Sequence, residues 1–96
     1  MTNTEIAQVF TDIAALLKAK KENIFKIRAY EKAAGYIKDW PASIEQLAKE
    51  GRLREVPGVG EAISKKITEL VNTGRLEFYE KLKNESSKVK TQSSDC

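Results

Sequence analysis

Five consecutive residues, Val56-Pro57-Gly58-Val59-Gly60, restrict what this chain can fold into more than any other stretch. Proline fixes one backbone angle and removes a donor, so it does not sit inside a helix or a central strand. Glycine permits conformations that a side chain forbids and lets another backbone come close. Such a segment is a tight turn, and its flanks read as helix. Ser43-Ile44-Glu45-Gln46 and Leu47 form a short apolar pattern ahead of it, and Ile63, Ile67, Leu70 and Val71 follow at helical spacing. The turn therefore feeds directly into a helix N-terminus. The first N–H groups there have no partner inside the helix and carry partial positive charge, which suits an anion. With Arg52 and Arg54 before the turn and Lys65 and Lys66 after it, the segment is expected to hold one or two successive phosphates without reading a base.

The rest of the chain predicts more helices and no strands. Thr2 and Glu5 have the spacing of a capping box, and Ile6, Val9, Phe10, Ile13, Leu16 and Leu17 follow as a helical stripe closed by Lys18, Lys20 and Lys21. Asn23 is a suitable N-cap for a second helix. Phe25, Ala29, Tyr30, Ala33, Ala34 and Ile37 are expected to form its apolar face, with Trp40-Pro41 ending it and Trp40 plugging the core. Ser43 and Gln46 repeat the capping-box spacing and open a short helix ending near Gly51. The helix after Gly60 ends at Thr73-Gly74, and a last one carries Leu76, Tyr79 and Leu82. The expected fold is all-α, a compact bundle of about five short helices containing one helix-hairpin-helix motif. It spans residues 1–85, with a disordered polar tail at 86–96.

Composition narrows the function classes. Ninety-six residues hold one core. The balance of 17 basic against 14 acidic residues, a net of +3, does not by itself argue for nucleic acid. One cysteine, Cys96, and no histidine exclude an internal disulfide and a Cys/His metal set. Nothing near Cys96 lowers the pKa of a thiol there, so it is a poor nucleophile candidate. No apolar run approaches the roughly 18 residues of a membrane helix, and no signal peptide is visible. The expectation is a cytoplasmic protein, nucleoid-associated in a prokaryote, with no membrane partner and no required cofactor.

The block Asn23-Ile24-Phe25-Lys26-Ile27-Arg28-Ala29-Tyr30-Glu31-Lys32-Ala33-Ala34, then the turn, then Thr73-Gly74-Arg75-Leu76, resembles the N-terminal lyase domain of family X DNA polymerases, in the form of the bacterial and archaeal branch. The resemblance runs from about Ile6 to Leu82. It implies a helical module that binds gapped, nicked or single-stranded DNA in repair, beside a polymerase or repair protein. It implies DNA contacts from Lys26, Tyr30, Arg54, Gly58, Val59, Gly60, Lys65 and Lys66. It also implies a monovalent cation, Na+ or K+, on the backbone carbonyls of Arg54, Val56 and Val59. In the β-type members a lysine forms a Schiff base with 5′-deoxyribose phosphate, and that lysine maps to Lys66.

Read from the residues alone, Lys66 falls at the edge of the stripe formed by Ile63, Ile67 and Leu70, while Lys65 points to the opposite side. An amine there either attacks an aldehyde or extends from the seam to contact phosphate. The chain departs from the β-type pattern at four positions. Phe25 replaces a histidine, Ala62 and Phe78 replace lysines, and Lys65 replaces a glutamate. These changes keep the nucleophile but remove part of the 5′-phosphate pocket, while Phe25 offers a face on which an unpaired base can stack. After Leu82 there is no room for a palm domain, so the chain is expected to be a stand-alone relative or an excised domain that cannot polymerise DNA. Three functions follow as expectations: sequence-independent binding to DNA, lyase chemistry at Lys66, or a protein-interaction module.

Overall fold

The computed structural model describes residues 1–84; the expected tail at 86–96 lies outside them. Every regular element among the described residues is helical, as the sequence predicts. Helix α1 (Asn3–Ala19) begins with both arms of the capping box: Glu5 N–H donates to Thr2 Oγ1 at 3.1 Å and Thr2 N–H to Glu5 Oε1 at 2.8 Å. Its buried face is Ile6, Ala7, Phe10, Ile13, Ala14 and Leu17. That face is rotated from the expected stripe toward two alanines, leaving Val9 and Leu16 half-buried, because small residues let a neighbouring helix come close. The helix closes with Glu22 N–H donating to the Leu17 carbonyl at 3.0 Å around Lys21, which takes the left-handed φ of 59°.

Helix α2 (Ile24–Asp39) starts on Asn23, whose side chain accepts from Phe25 N–H at 2.7 Å. Its buried face corrects the sequence reading. Ile27 joins Tyr30, Ala33, Ala34 and Ile37 inside, whereas Ala29 is exposed and Phe25 is 75% exposed. Helical spacing places Phe25 about 160° around the axis from Ile27, so both cannot face α1. The two helices run antiparallel: Lys18 at the end of α1 lies 3.7 Å from Glu31, and Asn3 at its start reaches the end of α2.

Asn3 clamps the next connection. Its Oδ1 accepts from Ile44 N–H at 2.8 Å, and its Nδ2 donates to the carbonyls of Ala42 at 2.8 Å and Trp40 at 3.2 Å. Trp40 packs half-buried against the core, as expected. Helix α3 (Ile44–Lys49) forms only half the second capping box. Ser43 Oγ accepts from Gln46 N–H at 3.2 Å, but the Gln46 amide turns to Glu50 instead.

A single 3-10 turn (Leu53–Glu55) leads into the hairpin and then α4 (Glu61–Thr73). Leu53, Val56 and Val59 are all buried, with exposed residues between them, so every third side chain pins the hairpin to the core. Helix α4 buries Ile63, Ile67 and Leu70 and stops at Gly74, whose N–H donates to the Leu70 carbonyl at 2.7 Å. A fifth helix, α5, begins at residue 77 and continues to residue 84. Glu69 on α4 caps it by accepting Glu77 N–H at 2.8 Å, and Tyr79 Oη donates to Asp12 Oδ2 at 2.9 Å, tying it back to α1.

Candidate nucleic-acid interface

The hairpin, α2, α4 and α5 meet around one cleft of about 580 Å³, lined by Lys26, Ala29, Tyr30, Gly58, Gly60, Glu61, Ala62, Ile63, Lys66 and Phe78. Five sequence-predicted residues converge there from three elements: Lys26 and Tyr30 from α2, Gly58 and Gly60 from the hairpin, and Lys66 from α4. The structure does not bring Arg54, Val59 or Lys65 into it. Arg54 is exposed on the 3-10 turn, and the Val59 side chain is buried beneath the hairpin, leaving its backbone to make any contact. Lys65 faces the adjoining groove between α4 and α5, where Glu61 lies 3.6 Å from its ammonium.

The two hairpin glycines have different roles. Gly58 has φ +84°, a left-handed conformation, and a Cβ there would sit 3.3 Å from Tyr36 Cδ2. Gly60 is extended, with φ −87° and ψ −174°, and a Cβ there would meet nothing within 4 Å. Both glycines permit unusual backbone conformations, but only Gly58 uses that freedom. At Gly60 the missing side chain clears the approach to the N-terminus of α4. No side chain caps that terminus, so its first N–H groups, on residues that line the cleft, have no side-chain acceptor.

Electrostatics sharpen the assignment. Among the described residues, Lys26, Lys66 and Arg54 form no ion pair. Arg52, expected to contact phosphate, is engaged instead. Its Nε and Nη2 donate to Glu55 at 2.9 and 3.0 Å, and its Nη1 donates to Glu50 at 2.9 Å. Glu55, then Glu50, hold the guanidinium further above its ordinary value, and Arg52 pulls Glu55 below the usual carboxylate range. The side chain is consumed in bracing the loop ahead of the hairpin.

An aromatic ladder backs the cleft. Phe10 and Tyr30 stack with centroids 5.9 Å apart, Tyr30 and Phe78 at 6.0 Å, and the Lys66 ammonium lies 5.0 Å from the Phe78 centroid. Tyr30 is 8% exposed, and burial pushes its phenol up, so the hydroxyl stays a neutral donor. The Lys66 ammonium rests against the ring quadrupole of Phe78, a contact worth about 0.5–1 kcal/mol at a partly exposed site. The resemblance marks Phe78 only as a departure from a lysine, and no local signal in the sequence places it at the end of the ladder.

At the base of the hairpin, the Val56 carbonyl accepts Val59 N–H at 3.1 Å. Among the described residues, the carbonyls of Arg54 and Val59 accept no backbone hydrogen bond. No group of three or more acidic, cysteine or histidine side chains among them is arranged to hold a metal, and no helix is long and apolar enough to cross a membrane. A tight turn with one obligatory glycine, running into an uncapped helix and flanked by unpaired lysines, is a helix-hairpin-helix arrangement. The family model described as a helix-hairpin-helix domain matches residues 1–76, which take in α1 to α4 and end at the residue before α5, and the chain belongs to that family.

Proposed function

We propose that this helix-hairpin-helix domain, of a kind that generally binds DNA, grips the DNA backbone without regard to sequence and favours gapped, nicked or single-stranded DNA, as a repair module beside a polymerase or repair protein. The observation that carries the reading is the convergence of Lys26, Lys66, the hairpin glycines and the uncapped α4 N-terminus on one cleft. Lys26, Lys66 and Arg54, which form no ion pair among the described residues, flank it or lie close by in the chain. Phosphate contacts release counterions, with a slope of about −0.9 per contact. Three contacts then weaken binding roughly 40-fold between 50 and 200 mM salt. Fluorescence anisotropy on a labelled gapped duplex measures this, and a change below twofold refutes backbone binding. The carbonyls of Arg54, Val56 and Val59 are the proposed seat of Na+ or K+, because each retains an open lone pair on the same turn. Exchanging K+ for a bulky quaternary ammonium at constant ionic strength should weaken binding, and an unchanged affinity refutes the cation seat.

One observation favours lyase chemistry as a second reading: Lys66 shares the cleft with Lys26 and the neutral Tyr30 hydroxyl. Its amine would add to the C1′ aldehyde of an abasic sugar and lose water to give an imine. Borohydride should then trap the chain on incised abasic DNA, and Lys66→Ala should abolish the adduct. A wild type that yields no adduct eliminates this reading and leaves Lys66 as a phosphate contact.

A further inference from the structure

Helix α2 carries an exposed stripe that the core does not account for and that meets the cleft only at Ala29. Phe25, Ala29, Lys32 and Tyr36 recur at spacings of four, three and four, which places them on one face. Phe25 is 75% and Tyr36 40% exposed. The stripe runs beside the hairpin. The position of a Gly58 Cβ would be 3.3 Å from Tyr36 Cδ2 and 3.5 Å from Lys32 Cγ, and Ala29 lines the cleft together with Lys26. Eleven residues at a helical rise separate the two aromatics by about 16 Å along the axis. That is roughly five nucleotides at duplex phosphate spacing, and fewer in a stretched strand.

Resting on the backbone-binding reading, we infer that this face is a stacking track for an unpaired DNA strand, with Phe25 and Tyr36 each receiving a base while Lys26 and Lys32 meet the phosphates between them. Charge selects this occupant over an apolar peptide. The stripe has no carboxylate, and Lys32 forms no ion pair among the described residues. Glu61, which lines the cleft, pairs with Lys65, and Glu31 on α2 pairs with Lys18. Aromatic faces flanked by lysines suit unpaired bases of any sequence, since every base has a π-face. In a continuous duplex the bases are stacked on each other and cannot reach the track, so the track discriminates for gaps.

The test compares a labelled duplex carrying a five-nucleotide gap with a continuous duplex of the same length, at one salt concentration. Wild type should bind the gapped DNA more tightly. Phe25→Ala and Tyr36→Leu should each lower affinity for the gapped DNA roughly tenfold, leave the continuous duplex unchanged, and together abolish the preference. Tyr36→Leu keeps an apolar group against Gly58, so the hairpin retains its support, and Tyr36→Phe should bind like wild type. Equal losses on both DNAs, or no loss on the gapped DNA from either variant, overturn the track while leaving backbone binding standing. A wild type that binds neither DNA overturns both readings together.

Discussion

Substituting alanine at each hairpin glycine separates a conformational requirement from a contact requirement. At Gly58 the φ of +84° costs an L-residue roughly 1–2 kcal/mol. The new Cβ would also meet Tyr36 Cδ2 at 3.3 Å, which forces the ring outward and adds to that cost. For a domain of this size each kcal/mol is worth about 4–8 °C in Tm, so Gly58→Ala should melt roughly 5–15 °C below wild type. Gly60 behaves differently, being extended with open space where its Cβ would stand. Alanine there loses unfolded-state freedom, which stabilises by about 0.4–1 kcal/mol. It is also a poorer N-cap than glycine by a similar amount, so the two effects offset and Tm should stay within about 3 °C. A methyl group there nonetheless takes up open space at a residue that lines the cleft, so DNA affinity should fall while stability holds. Thermal melts followed by circular dichroism at 222 nm, paired with anisotropy titrations, measure both quantities. The reasoning is refuted if Gly58→Ala melts with wild type, or if Gly60→Ala loses as much stability as Gly58→Ala.

Other perturbations test other parts of the structure. Asn3→Ala removes three hydrogen bonds that hold the α2–α3 connection, and strips Ile44 N–H of its acceptor. A loss of about 1–3 kcal/mol is expected, read as a Tm decrease together with a shift in Trp40 emission. Tyr79 is pushed up to about 12, first by burial and then by its hydrogen bond to Asp12. The unfolded phenol releases its proton near pH 10, so the stability from this group is complete below pH 10 and is lost as pH rises toward 12. Tyr79→Phe should flatten that alkaline arm in urea titrations run from pH 9 to 12; an unchanged arm refutes the assignment. Lys66→Ala should weaken binding about equally across DNA sequences and make the salt slope shallower by about one. Lys65→Ala, whose ammonium faces Glu61 in the neighbouring groove, should change the slope less.

How much was legible in sequence depended on how local the determining physics is. Helix ends were readable because caps act within four residues: Thr2 with Glu5, Asn23 and Gly74 all stand where their chemistry predicts. The hairpin was readable for the same reason. Rotational phase was harder. Apolar side chains occur around much of α2, and only packing against α1 decides that Ile27 goes inside and Phe25 goes out. Partner choice was not readable at all for Arg52, since the arginine suits phosphate and carboxylate equally and the local turn presents Glu55 and Glu50 first.

The sequence alone therefore determined the all-helical class, the ends of the main helices and the tight turn that leads into a helix N-terminus. Each of these follows from backbone angles and hydrogen bonds among near neighbours. Only the tertiary structure decided which side chains share the cleft. Lys26, Lys66 and Phe78 stand on three helices, and their meeting depends on how those helices pack. It also divided the hairpin glycines, because the need for Gly58 arises from the fold of the turn and from a tyrosine 22 positions earlier in the chain. No local rule in the sequence relates those two residues; the packing of α2 against the hairpin does.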